Sequence, residues 1–288
     1  PRSCSSAASD VYKRQLMHSI IVTIHNGARR LPNGEILLEK VLDGIVNNTV
    51  GDYELLCMLD GCTDDSDKVV SKYEKARAIV LPDVFELLTN NAAFKEAKGE
   101  YVIVVQDDQV ISEYGWNQRM QKPFDTFDDV FAVTARCAHN WIVNPNSYHL
   151  YNPDTPVTGW CDILDHVDHA STDHGLPRNV FAVRASCNRG PLMIDLQDLK
   201  KVNYLDEKFA PCDMDDHDLM FRAYLELGKV CGAYSIEMES DSSWSGARVT
   251  GDLPMWAYKS QHKNSRIFHD RYSSMFTERR IIDNRELP

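Results

Sequence analysis

Gly99-Glu100-Tyr101-Val102-Ile103-Val104-Val105-Gln106-Asp107-Asp108-Gln109 is the stretch on which the fold turns. Tyr101 to Val105 make an apolar, mostly β-branched run of the length expected for a strand buried on both faces of a parallel sheet. The run stops at two carboxylates. In open α/β sheets ligands bind beyond the carboxyl ends of the strands, which puts Asp107 and Asp108 where a ligand or a hard cation would sit. A solvated turn with Asp at a helix N-cap has the same local sequence, so the flanking chain decides.

Upstream, Ser19 to Ile24 reads as a first strand and His25-Asn26-Gly27 as a polar turn. Leu37, Leu38, Val41, Leu42 and Ile45 then trace one face of an amphipathic helix. Tyr53 to Leu59 is the next strand, closed by Asp60-Gly61. Thr63-Asp64-Asp65-Ser66 then opens a helix with Val69, Val70 and Tyr73 inward. A third strand is expected within 79–88, limited by Pro82, and Asn90 or Asn91 caps a short helix ending near Gly99. Strand and helix alternating with short connections predict a doubly wound parallel sheet with right-handed crossovers.

Downstream the pattern loosens. Asn140 to Arg178 carries Pro145, Pro153, Pro156 and Pro177 with little periodicity, and reads as a surface excursion over the open end of the sheet. Val180 to Val183 and Pro191 to Ile194 are strand candidates. Asp215-Asp216-His217-Asp218 opens a helix with Leu219, Met220, Ala223, Tyr224 and Leu227 on one face and Gly228 as its stop.

The 288 residues are 43% apolar, enough for one large core, and no run reaches the roughly 20 apolar residues of a membrane helix. A net charge of −12, from 43 acidic and 31 basic residues, argues against a nucleic-acid partner. An anionic small molecule would need a bridging divalent cation. The eight cysteines include no Cys-x-x-Cys pair, which fits reduced thiols in a cytoplasm better than zinc or a disulfide framework. Residues 1–16 read as a non-native or disordered leader similar to translated adapter sequence, 17–275 as a single domain and 276–288 as a tail.

Ordered pieces of the chain resemble the family 2 inverting nucleotide-sugar glycosyltransferases, which have the GT-A fold. Glu54 to Gly61 with Thr63-Asp64-Asp65-Ser66 is similar to the family's second strand and its Asp-Gly-Ser-Thr-Asp-x-Ser turn. Asn91 to Tyr101, running into Gln106-Asp107-Asp108, resembles the helix, the Gly-Glu-Tyr segment and the Asp-x-Asp metal motif. Asn188-Arg189-Gly190 to Asp195, Tyr204 to Glu207 and Asp215-Asp216-His217-Asp218-Leu219 resemble the acceptor side with its Glu-Asp-x-Asp-Leu motif. Order and spacing agree from residue 19 to about 228. There are departures: His25-Asn26 stands where Tyr-Asn is usual, Gln106 replaces the first Asp of Asp-x-Asp, and Asn90 replaces an Arg.

The resemblance implies a Rossmann-like, mostly parallel sheet with helices on both faces. It also implies sugar transfer from a nucleoside diphosphate sugar to a saccharide or lipid-linked saccharide, in cell-surface polysaccharide synthesis. The setting would be the cytoplasm or the inner face of the membrane, with peripheral membrane contact. By the same likeness Asp108 would bind Mg²⁺ or Mn²⁺, with His262 as a further ligand. Asp107 would meet the ribose, Asp60 the nucleobase, and His25, Asn26 and Asn91 would line the nucleotide pocket.

Asp216 is the implied general base, with Asp215 beside it at a helix N-terminus that favours the ionised carboxylate. Arg248, Lys259 and Lys263 are candidate diphosphate partners, and Trp141 and Trp160 candidate sugar-stacking rings. Asp165-His166-Val167-Asp168-His169 with Asp173-His174 reads either as a second metal tract or as a loop over the acceptor. A catalytically weak nucleotide-sugar binding module and a sugar nucleotidylyltransferase are the competing readings. The second ordinarily needs a Gly-rich basic loop, of which Gly27-Ala28-Arg29-Arg30 is only a fragment.

Overall fold

Period-two alternation divides the central strands between two buried faces, and this organises the fold. The computed structural model describes residues 17–149, 152–165, 177–241, 244, 255–275, 281 and 283–288. At 141–149, 152–165 and 258 it describes the backbone alone. The first half alternates β1 (His18–Ile24), α1 (Leu37–Asn48), β2 (Tyr53–Asp60), α2 (Ser66–Val70), β3 (Ala76–Leu81), α3 (Phe85–Glu96) and β4 (Tyr101–Gln106). There follow β5 (Val110–Ile111), α4 (Trp116–Thr126), β6 (Val130–Thr134), β7 (Cys137–His149) and β8 (Asn152–Asp165). The remainder is β9 (Val180–Arg184), β10 (Ser186–Cys187), β11 (Leu192–Asp195), α5 (Leu196–Lys201), α6 (Asp215–Leu227), β12 (Val230–Ala233), β13 (Met238–Glu239), α7 (Met255–Tyr272) and β14 (Asp283–Glu286).

The main sheet has nine strands in the order β14-β9-β12-β6-β11-β4-β1-β2-β3. Its pairings make β9 and β11 antiparallel to their neighbours while the others share one direction, so the sheet is mostly parallel, as the sequence implies. Along β4, Val102 and Val104 join a core with Leu87 and Phe94 of α3, Leu199 of α5, Phe221 of α6 and Phe268 of α7. Ile103 and Val105 face the opposite core, with Leu38 and Val41 of α1, Val69 of α2 and Trp116 of α4. Apolar side chains buried on both faces supply the main driving force for this layering.

Expectation and structure part in three places. Residues 85–96 form one continuous helix in which Asn90 and Asn91 are interior and buried, rather than a strand end followed by a capped helix. Thr89, Asn90 and Asn91 sit at buried positions and mask the apolar period. The supposed excursion from Asn140 is largely a long antiparallel hairpin, β7 on β8, with β10 as a third strand. Its register slips around Tyr148 and His149, close to the prolines that hide it from a reading of alternation.

Third, the stretch expected as a tail supplies β14, the edge of the main sheet beside β9, where Leu287 is buried. There Arg285 donates to both oxygens of Asp129, at 2.6 and 2.9 Å. The α6 stop matches expectation: Gly228 closes the helix at φ +68°, a conformation that is cheap for glycine alone. Among the described residues no helix is long and apolar enough to cross a membrane.

Candidate functional site

The turns leaving β1, β2 and β4 meet at the carboxyl end of the sheet. His25 Nδ1 lies 2.7 Å from the carbonyl oxygen of Asp60, which can only accept, so Nδ1 carries the proton. Asn26 Nδ2 then donates to His25 Nε2 at 3.3 Å, while Asn26 Oδ1 accepts the Thr63 N–H at 2.8 Å. Gly27 N–H donates to Ser66 Oγ at 2.9 Å and Ala28 N–H to Asp64 Oδ2 at 2.9 Å. The Asp64-to-Ser66 polar cluster thus braces the first turn as well as opening α2. Asp60 Oδ1 accepts the Val84 N–H at 2.8 Å, which ties the end of β2 to the start of α3.

Asp107 is buried, and its Oδ2 accepts the His25 N–H at 3.2 Å. Burial first, then the charges of Asp108 and Glu86, push its carboxyl up to about 7 against the pull of Arg29 and the His25 bond. Asp108 follows it at the strand end with one oxygen buried. His25, Asp60, Asp107 and Asp108 thus lie together at the strand ends, with Asn26 beside His25.

A chain of polar and charged contacts leads from the end of β4 to the N-terminus of α6. Gln106 Nε2 donates to Glu86 Oε1 at 3.2 Å, and Arg189 Nε lies 3.2 Å from the same oxygen. The Arg189 guanidinium continues to Asp215, donating to Oδ1 at 3.2 Å and also to Oδ2. Gln106 is further clipped by Gln109, whose Nε2 donates to Gln106 Oε1 at 3.1 Å. Gly190, at φ +107°, lies against that clip, and a Cβ there would come within 2.0 Å of Gln109 Nε2. Gln106, which breaks the Asp-x-Asp pattern, thus links the end of β4 to Glu86 and, through Arg189, to Asp215.

Asp216 sits next to Asp215 in the first turn of α6. Burial raises its carboxyl, but the imidazole of His217, through charge and hydrogen bond, and then Arg189 outweigh burial. They hold it well below the usual carboxylate range. The approach to α6 is unusual backbone, with Asp213 at φ +81° and Met214 at φ +64°. Asn264 of α7 holds it: its Nδ2 lies 2.6 Å from the Phe209 carbonyl, 2.7 Å from that of Cys212 and 3.0 Å from that of Asp213. Asp218 is taken up by structure, accepting from Arg222, Arg271 and Tyr272, each at 2.7 Å.

Other sequence-derived candidates lie elsewhere. Asn91 is committed to Leu205: its Oδ1 accepts the Leu205 N–H at 3.0 Å and its Nδ2 donates to the Leu205 carbonyl at 2.9 Å. His262 stands on α7 in a cleft lined by Lys259, Lys263, Arg266 and Asp270, surroundings that suit an anion better than a cation. Trp141 and Trp160 are backbone partners in the β7–β8 register. Arg248, His166, Asp168, His169, Asp173 and His174 lie outside the described residues.

Among the described residues no group of three or more His, Cys, Asp or Glu side chains gathers to hold an ion unaided. The donor set does fit a hard cation shared with a diphosphate. Asp108 offers carboxylate oxygen at a strand end, beside the buried Asp107 carboxyl, whose charge the burial disfavours.

A family model described as Glycosyl transferase family 2 matches residues 19–180, more than half of the chain. The chain belongs to glycosyl transferase family 2. Within this family 2 chain, 103 residues are 34% identical to the poly(ribitol-phosphate) beta-glucosyltransferase of Bacillus spizizenii (strain ATCC 23059 / NRRL B-14472 / W23). The match takes in 32% of this chain and 15% of that protein. The crystal structure of S. aureus TarS 1-349 in complex with UDP-GlcNAc superposes with a TM-score of 0.51 at 15% identity, over 90% of this chain and 74% of that one. A further S. aureus TarS crystal structure gives 0.48 at 16% identity, over 79% of this chain and 37% of that one. The likeness to the TarS 1-349 structure agrees with the mostly parallel sheet described above.

Reading the sequence missed Glu86, Arg189 as a working residue, Arg29 and His139. Arg189 had a signal, being a charge inside the otherwise small and apolar Asn188-to-Ile194 stretch. Glu86 had none, because the helix that carries it was itself concealed.

Proposed function

We propose that this chain transfers a hexosyl group, with inversion, from a uridine diphosphate sugar to a hydroxyl of a polyol-phosphate acceptor of the cell surface. The observation that carries the reading is the Gln106–Glu86–Arg189–Asp215 chain of contacts, which links the end of β4 to the α6 carboxylates. A donor held at one end and an acceptor at the other need that adjacency, since nucleophile and anomeric carbon must approach in line.

In this reading the acceptor oxygen attacks the anomeric carbon, its proton passes to Asp216, and the bond to the diphosphate breaks with its electron pair on the leaving group. Asp216, held well below the ordinary range, is ionised and free of a proton at neutral pH. Its first-turn position and His217 keep the carboxylate fixed. Arg29 and the turn His25 to Ala28 flank the phosphates, and Asp108 with Asp107 would hold Mg²⁺ or Mn²⁺. Such a cation, when bound, offsets the charge that builds on the departing diphosphate.

The uridine donor is supported by the ligand of the S. aureus TarS complex, and the acceptor by the name of the Bacillus relative. The α7 cleft supports an acceptor rich in phosphate: Lys259, His262, Lys263 and Arg266 make a basic patch on a chain whose net charge is −12. Work at the cytoplasmic face on a membrane-linked polymer belongs to the same proposal.

Titration calorimetry of UDP, GDP and CDP, with and without Mn²⁺, tests the donor side. UDP is expected to bind at least about tenfold more tightly with Mn²⁺ than without, a difference of ~1.4 kcal/mol, and more tightly than the other nucleotides. Mn²⁺-supported hydrolysis of UDP-glucose or UDP-GlcNAc should accompany it. Binding without any turnover would leave a binding module, and no nucleotide binding at all would refute the reading.

A further inference from the structure

A buried line of side chains runs from Asp216 of α6 into the start of β7. Asp216 Oδ1 lies 2.8 Å from His217 Nδ1 and accepts the His217 backbone N–H at 2.9 Å. On the other side of the ring, His217 Nε2 lies 3.0 Å from His139 Nε2, with centroids 4.9 Å apart. His139 is 0% exposed and His217 5%. Phe268 of α7 covers the His217 ring edge-on at 6.1 Å.

Proton bookkeeping restricts the states of this line. An ionised carboxylate only accepts, so His217 Nδ1 carries a hydrogen. The two Nε2 atoms, at hydrogen-bond distance, share one proton between them. Either neutral His139 donates Nε2–H to neutral His217, or cationic His217 donates to His139. Burial first and then the His217 charge hold His139 well below the ordinary histidine range, against Asp216, so His139 is neutral in both states. In both, the Nδ1–H of His217 stays on Asp216 Oδ1.

We propose that His217 and His139 are positioning residues for the base: His139 fixes the ring of His217, and His217 anchors Asp216 through Oδ1 so that Oδ2 is presented to the acceptor hydroxyl. The inference rests on the reading of Asp216 as the base. Neither histidine touches the reacting atoms. A first-turn carboxylate has several rotamers, and one oxygen taken up by a rigid neighbour leaves the other with a defined direction.

Other titratable groups bear on the line. Asp213 and Asp215 precede it on the turn into α6, and Arg189 and Glu86 lie on the Asp215 side. Cys137 of β7 has its Sγ 4.0 Å from His139 Nδ1, and Cys187 of β10 feels the Asp216 charge. Of the groups that lower Asp216, the imidazole comes first and Arg189 after it. Replacing the imidazole by an apolar group removes the main opposition to burial, so the Asp216 carboxyl rises and its ionisation moves to higher pH.

The test uses the full chain with Mn²⁺ and UDP-glucose or UDP-GlcNAc, comparing His217→Leu, His139→Leu and His139→Gln. Both leucine variants are expected to lose kcat by about 10- to 100-fold, the range for removing a group that orients an active side chain. Their donor KM should hold, and the acid limb of the rate profile should move up in pH for His217→Leu. His139→Gln, whose amide reaches the Nε2 position, should recover most of the rate. Ring ¹⁵N shifts, read without turnover, should show His217 Nδ1 protonated at neutral pH.

If the unaltered chain turns over donor while the leucine variants keep its rate and pH profile, the inference is wrong. It is equally wrong if His217 Nδ1 is unprotonated, or if the variants lose only melting temperature. If the unaltered chain turns over no donor, the assignment of Asp216 as base fails and takes this inference with it.

Discussion

Asp216→Asn is expected to lower kcat by about 10²- to 10⁴-fold, the usual contribution of a positioned general base, with nucleotide affinity unchanged. The amide has the shape of the carboxylate, so Oδ1 can still accept from the His217 backbone and ring. What it lacks is the capacity to take a proton. Because His217 and Arg189 outweigh burial at this carboxylate, the neutral amide gives up some stability at neutral pH, which the binding control separates from lost chemistry. Steady-state rates of donor hydrolysis and of transfer, with calorimetric UDP binding as the control for folding, check this. Turnover within about threefold of the unaltered chain would remove Asp216 from the role of base.

Arg189→Met has the second large effect, on stability. Arg189 is buried and pairs with Asp215, whose side chain is fully buried, so removing the cation strands a carboxylate in a place of low polarisability. Breaking such a pair from one side costs about 3–5 kcal/mol, a fall in melting temperature on the order of 10 °C in a chain of this size.

The deficit should depend on pH, and its sign follows from Glu86. Burial, foremost, raises the Glu86 carboxyl while Arg189 opposes, so removing Arg189 raises it further. A group with a raised folded-state pKa favours the folded state at low pH, and that contribution is lost as pH rises through the raised value. The variant should therefore lie closest to the unaltered chain near pH 5 and furthest from it near pH 8. Adding Asp215→Asn should restore much of the loss. Melting curves across that range decide it, and an equal deficit at both ends would contradict the charge argument.

Most of the fold was legible because its signals are local. The apolar run at Tyr101 to Val105, the alternation around it and the first-turn carboxylates of α6 each act within a few residues. What escaped is set by contacts distant in sequence. Asn91 has the local look of a cap or a ligand residue, yet both ends of its amide are claimed by Leu205, 114 positions away. Glu86 and His139 gain meaning only when α3 and β7 are folded against α6. Gln106, the departure from Asp-x-Asp, makes its contact with Glu86 only once α3 lies against the end of β4. The β7–β8 hairpin escaped because its register slips, which blurs the period that would announce two strands.

The central claim is that Asp108 holds a divalent cation against the diphosphate of a uridine donor. Calorimetric binding of UDP to the unaltered chain and to Asp108→Asn, each with and without Mn²⁺, tests it most directly. The account predicts that Mn²⁺ strengthens UDP binding in the unaltered chain and that the gain disappears in Asp108→Asn, while the metal-free affinities stay alike. An equal Mn²⁺-dependent gain in both proteins would contradict it.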